Sequence, residues 1–301
     1  MRIRVLGSAA GGGSPQWNCA CDVCVQVRRD PAVGPRLTCT LAVGADSGDW
    51  FLCNAGPDVA VQLRDWPEMS PRPDGRVSLQ GVLLTDAELD HTVGLLSLRE
   101  ADGLRIYGTG AVRDLLTECG LLPTLRCYTR VDWCEVQPGE EFDLLYRDGS
   151  SSGLSCSAVE VAAGRMPRYA RSTPASSEAV IGYVVRDRDA GTSAALAPSV
   201  ATDDDRVVRA LGCTDLALID GTFYEDDELY RAGRGHASAH SMGHIPIRHG
   251  KLGDRIRSCG ARVVYTHVNN TNRIILAGST ERASLVAQGY LIAEDEMEFV
   301  L

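Results

Sequence analysis

Long hydrophobic runs are missing from this sequence of 301 residues. No stretch approaches the roughly 20 consecutive apolar residues that a membrane-spanning helix requires. The apolar run within residues 1–7 is too short for the core of a signal peptide and continues directly into a predicted strand. No low-complexity linker and no short-period repeat divides the chain. We therefore expect a cytoplasmic protein with no membrane partner.

Positive charge is also scarce. The sequence has 30 lysine and arginine residues against 40 aspartate and glutamate residues, which gives a net charge of −10. This balance argues against a broad basic surface for nucleic acid or anionic lipid. We expect no nucleic-acid partner, whereas small molecules and peptides are not excluded as substrates.

The cysteines do not form a pattern typical of disulfide-bonded proteins, since their number, 11, is odd. Most stand singly among apolar residues, as Cys53, Cys119, Cys156 and Cys213 do. Buried thiols in a reducing compartment explain this distribution better than a disulfide framework does.

Strands and helices alternate through both halves of the chain, as the spacing of apolar residues indicates. Predicted strands lie at residues 2–6, 37–43, 50–54, 82–84, 105–107, 154–161, 180–185, 194–197, 216–220 and 262–265. Predicted helices lie at residues 57–66, 203–211 and 280–288, with a further helix after residue 91. This order predicts an α/β sandwich of two mixed sheets with outer helices, formed by one domain at residues 1–301.

A dense group of polar side chains follows the predicted strand at residues 82–84. Asp86, Glu88, Asp90 and His91 place three carboxylates and an imidazole within six residues. The carboxyl ends of strands are where open α/β folds place binding groups. Carboxylate and imidazole ligands suit iron, manganese or zinc, but acidic residues are equally typical of the start of a solvated helix.

A second polar strand end favours the metal interpretation. His267 follows the apolar strand at residues 262–265, with only Thr266 between them. One histidine at a strand end is more often structural than a metal ligand. Two histidine-bearing strand ends in one α/β protein are harder to explain structurally, so we predict one metal site composed of Asp90, His91 and His267.

Three clustered cysteines predict a separate zinc site. Cys19, Cys21 and Cys24 lie within six residues, in a loop rich in glycine that we place at about residues 11–30. Thiolates are preferred ligands of zinc in closed, structural sites. A fourth ligand is not evident from the spacing, and His244 is one candidate.

Several histidines fall between Gly235 and Gly250. His236, His240 and His244 are spaced by four residues, which would align them on one face if the segment were helical. A solvated loop near the mouth of an active site is the interpretation that we favour.

Taken in order, these motifs resemble a known family. The most specific are residues 11–19, 84–86, 90–91, 220–223, 242–244 and 269–272. The chain resembles the metallo-β-lactamase superfamily and, within it, the family of pyrroloquinoline quinone (PQQ) biosynthesis protein B. The resemblance covers nearly the whole chain and implies the αββα sandwich of that superfamily.

Departures from the superfamily pattern bear on the chemistry. Asp86 and Glu88 replace the two histidines that hold the first of two zinc ions in hydrolases of this fold. A third histidine is missing from residues 162–165, and no bridging aspartate is obvious after Ala197-Pro198. The ligands of the second ion remain as Asp90, His91 and His267. Two imidazoles and one carboxylate are the set used by non-haem Fe(II) oxygenases, so the resemblance implies an iron-dependent hydroxylase.

The resemblance also implies a substrate and further site residues. The expected reaction uses O2 to hydroxylate the tyrosine of a small peptide-derived intermediate in PQQ biosynthesis. Ser14 and Arg273 depart from the family pattern, so hydroxylation of another peptide aromatic, such as tryptophan, stays an alternative. A zinc metallohydrolase and a non-enzymatic quinone carrier are the other two hypotheses, and a homodimer is left open.

The resemblance also implies roles for residues outside the predicted set of Asp90, His91 and His267. Asp86, Glu88 and Asp220 are expected to bind a second metal, orient ligands or move protons. His244 matches a family motif and is expected to be a further catalytic residue. Asn270 lies where a related phosphodiesterase family supplies a histidine, which makes it the other candidate for the fourth zinc ligand. Arg165 and Tyr169 are expected to face the substrate.

Overall fold

The computed structural model describes residues 1–45, 48–162 and 166–301. These residues form two seven-stranded sheets. The strands are β1 (Arg2–Gly7), β2 (Thr40–Gly44), β3 (Trp50–Cys53), β4 (Leu79–Leu83), β5 (Leu104–Gly108), β6 (Val131–Glu135), β7 (Glu141–Leu145), β8 (Ser151–Glu160), β9 (Ile181–Asp187), β10 (Thr192–Ala197), β11 (Leu216–Asp220), β12 (Arg262–Thr266), β13 (Leu291–Ile292) and β14 (Glu298–Val300).

Each sheet has an antiparallel half and a parallel half. The first sheet has the order β14-β1-β2-β3-β4-β5-β6, and pairing becomes parallel from β3 onward. The second has the order β13-β12-β11-β10-β9-β8-β7, with parallel pairing from β10 to β13. Parallel strands end at the same edge of a sheet, so the loops after β4, β11 and β12 can carry converging side chains.

Helices cover the outer faces of both sheets. They are α1 (Asp22–Arg29), α2 (Val59–Arg64), α3 (Leu89–Thr92), α4 (Gly110–Glu118), α5 (Leu121–Arg126), α6 (Asp205–Gly212), α7 (Glu228–Arg231), α8 (Ile247–Gly250), α9 (Leu252–Ser258) and α10 (Thr280–Ala287). Among the described residues, no helix combines the length and the apolar character that crossing a bilayer requires.

The core has three apolar layers, because successive strand residues point to opposite faces of a sheet. Phe51 and Leu83 of the first sheet meet Tyr183 and Leu218 of the second between the sheets. The outer face of the first sheet packs under α4 and α5, and that of the second packs under α6, α9 and α10. This layering is the αββα sandwich, and it confirms the predicted fold class.

Some predicted elements differ from those observed. The helix expected at residues 57–66 is limited to α2, since residues 54–58 form the turn that precedes it. The segment after His91 is a 3-10 helix at Val93–Leu98 rather than an α-helix. The loop expected at residues 11–30 ends early, because Asp22–Arg29 is helical. The stretch from residue 236 to 244 contains only a 3-10 turn at His240–Met242, so the aligned helical face is wrong and the loop interpretation fits.

Candidate metal centre

The predicted ligands meet where parallel strands of the two sheets end. The chain leaves β4 at Leu83, crosses a short loop and enters α3, which carries Asp90 and His91. His267 follows β12 directly and has a left-handed φ of 55°. A residue other than glycine pays a conformational cost in that region, which the surrounding contacts must offset.

Asp90, His91 and His267 form a compact donor set, in which both imidazoles are buried and Asp90 is half-buried. Their ligand atoms lie within 4.8 Å of one another, and the two imidazole centroids are 5.0 Å apart. The Nε2 atom of His267 is 3.5 Å from Asp90 Oδ2. Among the described residues, Nε2 of His91 and Nε2 of His267 are buried without a hydrogen-bond partner. Buried polar atoms are rarely left unsatisfied, so this set fits a bound cation.

Asp86 is engaged with His91 rather than with the centre of the set. Its Oδ2 atom lies 2.7 Å from His91 Nδ1 and accepts the Thr85 hydroxyl at 2.9 Å. Its Oδ1 atom accepts the backbone N–H of Glu88 at 2.9 Å. A carboxylate bound to the far nitrogen of a histidine fixes the ring and its tautomer. Of the roles expected for Asp86, this geometry matches ligand orientation.

His267 has a different support. The Thr222 hydroxyl lies 2.8 Å from His267 Nδ1 and donates to Asp220 Oδ1 at 2.6 Å. A hydroxyl that donates to a carboxylate can accept from the imidazole N–H, which leaves Nε2 of His267 as the acceptor. Thr222 belongs to the motif at residues 220–223, but no role was predicted for it. A hydroxyl two residues after a strand-end aspartate was the signal that could have identified it.

His244 and Asp220 form a buried pair beside His267. His244 Nδ1 lies 2.7 Å from Asp220 Oδ2, and the His244 ring stacks on that of His267 at 5.7 Å. Asp220, His244 and His267 also form a group of potential metal ligands. The Asp220 oxygens already accept from Val200 N–H, Thr222 N–H and the Thr222 hydroxyl. A second ion between Asp220 and His244 would have to displace these bonds.

Charges within the site favour an ionised carboxylate at its centre. Burial alone would raise the pKa of Asp90, but the neighbouring His91 and His267 outweigh it and lower that pKa. Burial disfavours the charged ring of His91, yet the Asp86 and Asp90 carboxylates raise its pKa to about 9. Burial lowers the pKa of His267. The site therefore offers negative charge to a cation, whose binding would displace the proton from His91.

The structure also describes two of the three remaining residues that were predicted for the site. Glu88 is half-buried immediately before α3, and its carbonyl accepts the Thr92 hydroxyl. Tyr169 is half-buried, and its hydroxyl donates to the carbonyl of Ala87, between Asp86 and Glu88. That contact puts Tyr169 against the metal-ligand segment with its hydroxyl already engaged. Arg165 lies outside the described residues.

The cysteine cluster is assembled at the start of α1. The sulfur atoms of Cys19, Cys21 and Cys24 are buried and lie within 4.8 Å of one another. Tetrahedral zinc–sulfur bonds of about 2.3 Å place sulfurs about 3.8 Å apart, so the cluster needs little adjustment to hold zinc. Burial raises the pKa of Cys21 to about 12, and a thiolate there requires a compensating cation.

Asn270 lies against these thiols. Its side-chain nitrogen is 3.2 Å from the Cys24 sulfur, and its backbone carbonyl oxygen is 3.5 Å from the Cys21 sulfur. Asn270 stays the predicted fourth ligand, through its carbonyl or through its side-chain oxygen after a flip of the amide. His244, the other candidate, is wrong for this position, because it is paired with Asp220 beside His267.

Comparisons with known proteins agree with the fold and the motifs. A family model described as a beta-lactamase superfamily domain matches residues 49–268. The chain is 38% identical to coenzyme PQQ synthesis protein B of Cupriavidus necator over 312 residues, which cover 99% of each chain. It is 35% identical to the protein of that name from Methylobacterium radiotolerans over 309 residues, which cover 100% of each chain.

Solved structures lead to the same family. Zn(2+)-bound PqqB from Methylobacterium extorquens matches with a TM-score of 0.88 and 31% identity, covering 100% of both chains. A diphosphatase of the PhnP family matches with a TM-score of 0.68 and 17% identity, covering 99% of this chain and 97% of its own, and shares the fold. The chain belongs to the metallo-β-lactamase superfamily and, within it, to the family of coenzyme PQQ synthesis protein B.

Proposed function

We propose that this protein is an Fe(II)- and O2-dependent hydroxylase in the biosynthesis of a PQQ-type cofactor. Its proposed substrate is an aromatic residue, tyrosine, of a small peptide or peptide-derived amino acid. The name of its relatives, coenzyme PQQ synthesis protein B, supports the pathway. The donor set supports the reaction class, since two imidazoles and one carboxylate are typical of non-haem Fe(II) oxygenases.

The observation that carries the proposal is the pair of buried imidazole nitrogens without partners. Among the described residues, Nε2 of His91 and Nε2 of His267 have no hydrogen bond, while Nδ1 of each ring is held by Asp86 or Thr222. Both rings are therefore orientated to present Nε2 beside the Asp90 carboxylate. Fe(II) held there would supply the O2 chemistry that aromatic hydroxylation needs.

His244 is positioned to hold or move a proton for the reaction. Its Nδ1 atom is fixed on Asp220, and its ring lies against His267 rather than within the Asp90, His91 and His267 set. We assign it proton transfer with substrate, because a histidine orientated by a buried carboxylate is a common general acid or base. Asp220 then acts by orientating His244 and, through Thr222, His267.

The zinc-hydrolase alternative has weaker support. It requires Asp86 and Glu88 to hold a first zinc ion, as part of a two-metal centre. Asp86 already accepts hydrogen bonds from the Thr85 hydroxyl, from the Glu88 N–H and from the Nδ1–H group of His91. Binding a metal through Asp86 would release His91, which is itself a ligand of the remaining set.

We further propose that Cys19, Cys21, Cys24 and Asn270 hold a structural zinc ion. Asn270 lies three residues beyond His267, and the N–H of Val268 between them donates to the carbonyl of Ser8. A zinc ion at the thiols would therefore fix the segment that presents His267. A closed thiolate site has no open position for substrate, so this ion would not react.

The test is metal analysis combined with O2 uptake. Protein loaded anaerobically with Fe(II) should consume O2 with a tyrosine-bearing peptide such as Glu-Tyr and a two-electron reductant such as ascorbate, because one oxygen atom enters the ring and the other is reduced to water. Mass spectrometry should show the added oxygen. His267→Ala should lose iron and retain the cysteine-bound zinc. Turnover of the peptide by zinc-loaded protein without O2 would contradict the proposal and favour a hydrolase. Stoichiometric binding of a quinone without any turnover would favour a carrier.

A further inference from the structure

Glu118 is an acidic residue in an unfavourable place. It is the last residue of α4, where the helix dipole presents partial negative charge. A carboxylate at a helix carboxyl end is destabilised unless other contacts offset the repulsion. Here the offset comes from a neighbouring loop, so the position of Glu118 points to a role in holding that loop.

The Glu118 carboxylate accepts four hydrogen bonds from three consecutive residues. Its Oε1 atom accepts the backbone N–H groups of Arg171 and Ser172, both at 2.7 Å. Its Oε2 atom accepts the Thr173 N–H at 2.9 Å and the Thr173 hydroxyl at 2.6 Å. Hydrogen bonds to an ionised acceptor are roughly twice as strong as neutral ones, so both oxygens anchor this segment.

The same loop contacts the metal-ligand segment a few residues earlier. The Ala170 N–H donates to the carbonyl of Pro167 at 3.0 Å and closes a turn. Tyr169, within that turn, donates its hydroxyl to the carbonyl of Ala87. Ala87 lies between Asp86, which holds His91, and Glu88. The turn is thus attached to the metal-ligand segment on one side and to Glu118 on the other.

We propose that Glu118 is a positioning residue, which clamps the turn at residues 167–170 against the metal-ligand segment and so holds Tyr169, a residue expected to face the substrate, in place. The substrate contact of Tyr169 rests on the proposed function, whereas the clamp rests on the hydrogen bonds alone. The other end of α4 holds the chain beyond the turn, since the Thr109 hydroxyl donates to the carbonyl of Glu178 at 2.8 Å. The helix therefore acts as a rigid support for the loop.

The clamp is independent of pH in the neutral range. The Thr173 hydroxyl and the backbone N–H groups of residues 171–173 lower the pKa of Glu118 to about 2. The carboxylate stays ionised at every pH at which the protein would be assayed. A substitution is therefore needed to open the clamp.

The test compares Glu118→Ala and Glu118→Gln with Glu135→Gln. Glu135 is a matched control, because it is an exposed carboxylate that contacts Arg113 on the same helix and, among the described residues, has no hydrogen bond to the loop. Glu118→Ala should speed hydrogen exchange of the amides at residues 171–173 by about tenfold or more, because these amides lose their common acceptor. Exchange at residues 86–92 should also rise.

Kinetics with the peptide Glu-Tyr supply the second measurement. Glu118→Ala should raise KM about tenfold and leave kcat within about twofold, with a smaller rise for Glu118→Gln, which keeps one acceptor oxygen. Unchanged exchange at residues 171–173 would overturn the clamp. Faster exchange there without any change at residues 86–92 or in KM would overturn its positioning role. Absence of turnover by the unmodified protein would contradict the proposed function. Hydrogen exchange at residues 86–92 and 171–173 would still show whether Glu118 holds the loop.

Discussion

At the scale of single residues, three histidines of the site are held in the same way. His91, His267 and His244 each have Nδ1 held by a separate neighbour, which is Asp86, Thr222 or Asp220. Such contacts set which ring nitrogen carries the proton and in which direction the other nitrogen points. The direction of the ring nitrogens therefore depends on residues outside the set of Asp90, His91 and His267.

Replacing Asp86 should weaken metal binding without removing a ligand. Asp86→Asn keeps the size of the side chain but loses the charge that orientates His91. We expect the affinity for Fe(II) to fall about 10- to 100-fold, as is typical when such a partner is lost. Anaerobic titration measures the affinity, and Asp65→Asn, at an exposed aspartate, is the control. An unchanged affinity in Asp86→Asn would contradict the assigned role.

At the scale of elements, glycines let the ligand-bearing segment approach a neighbouring loop. A Cβ atom at Gly56 would lie 2.4 Å from the Asp90 carbonyl oxygen, and one at Gly94 would lie 1.9 Å from the Gly56 carbonyl oxygen. Real Cβ atoms do not approach backbone atoms so closely, so the turn at residues 54–58 must carry glycine to sit against α3 and the 3-10 helix that follows. The hydrogen bond from Ala55 N–H to the His91 carbonyl, 2.7 Å long, depends on this approach.

An alanine at Gly56 should displace the metal ligands. Gly56→Ala must push the chain at Asp90 away, and overpacking of this kind costs about 1–3 kcal/mol. We expect a lower free energy of unfolding in urea together with weaker Fe(II) binding. Gly34→Ala is the control, since nothing lies within 4 Å of a Cβ atom there. Equal behaviour of the two variants would show that the close contact is not a constraint.

The zinc site should couple α1 to the segment that presents His267. Cys24→Ser removes one thiolate from the cluster, and we expect loss of zinc, a lower Tm and weaker Fe(II) binding, because Asn270 is released. Zinc content, thermal unfolding and Fe(II) titration measure the three effects. Cys213→Ser, at an exposed cysteine, should leave all three unchanged. Full zinc occupancy in Cys24→Ser would contradict the assigned ligand set.

At the scale of the whole molecule, the two sheets place their parallel halves so that strand ends from both meet at one site. Asp90 and His91 follow β4 of the first sheet, whereas Asp220 ends β11 and His267 follows β12 of the second. Any metal bound there would join the two halves of the sandwich, so folding and metal binding should be linked.

Glu228 should make the free energy of unfolding depend on pH. This residue is buried, accepts the Thr271 hydroxyl at 2.6 Å, and burial raises its pKa from 4.5 to about 7. The folded protein therefore keeps a proton that the unfolded chain releases above pH 4.5. The unfolding free energy should fall as pH rises from 4.5 to 7, by about 3 kcal/mol at most.

Glu228→Gln isolates that contribution. The variant cannot ionise at this position, so its stability should exceed that of the unmodified protein increasingly between pH 4.5 and 7, and by a constant amount above pH 7. Urea unfolding at several pH values measures the difference. Parallel curves for the two proteins would show that Glu228 does not titrate in this range.

The fold class, the candidate ligands and the family were all predictable from the amino-acid sequence. Apolar periodicity identified the central strands, and Asp90, His91 and His267 were recognisable because ligands follow strand ends. Several peripheral elements, such as β6, β7 and α5, were not predicted from periodicity. They are short, and their side chains are partly exposed, so their pattern is weak.

The contacts that orientate the site residues were not predictable from the sequence. Asp86 lies four residues before Asp90 in the sequence, yet it contacts the far side of the His91 ring. Thr222 supports His267 across 45 residues, and Asn270 meets Cys24 across 246. Sequence patterns report periodicity and local spacing, whereas the direction of a ring nitrogen depends on which distant groups the packed sheets bring within hydrogen-bond distance.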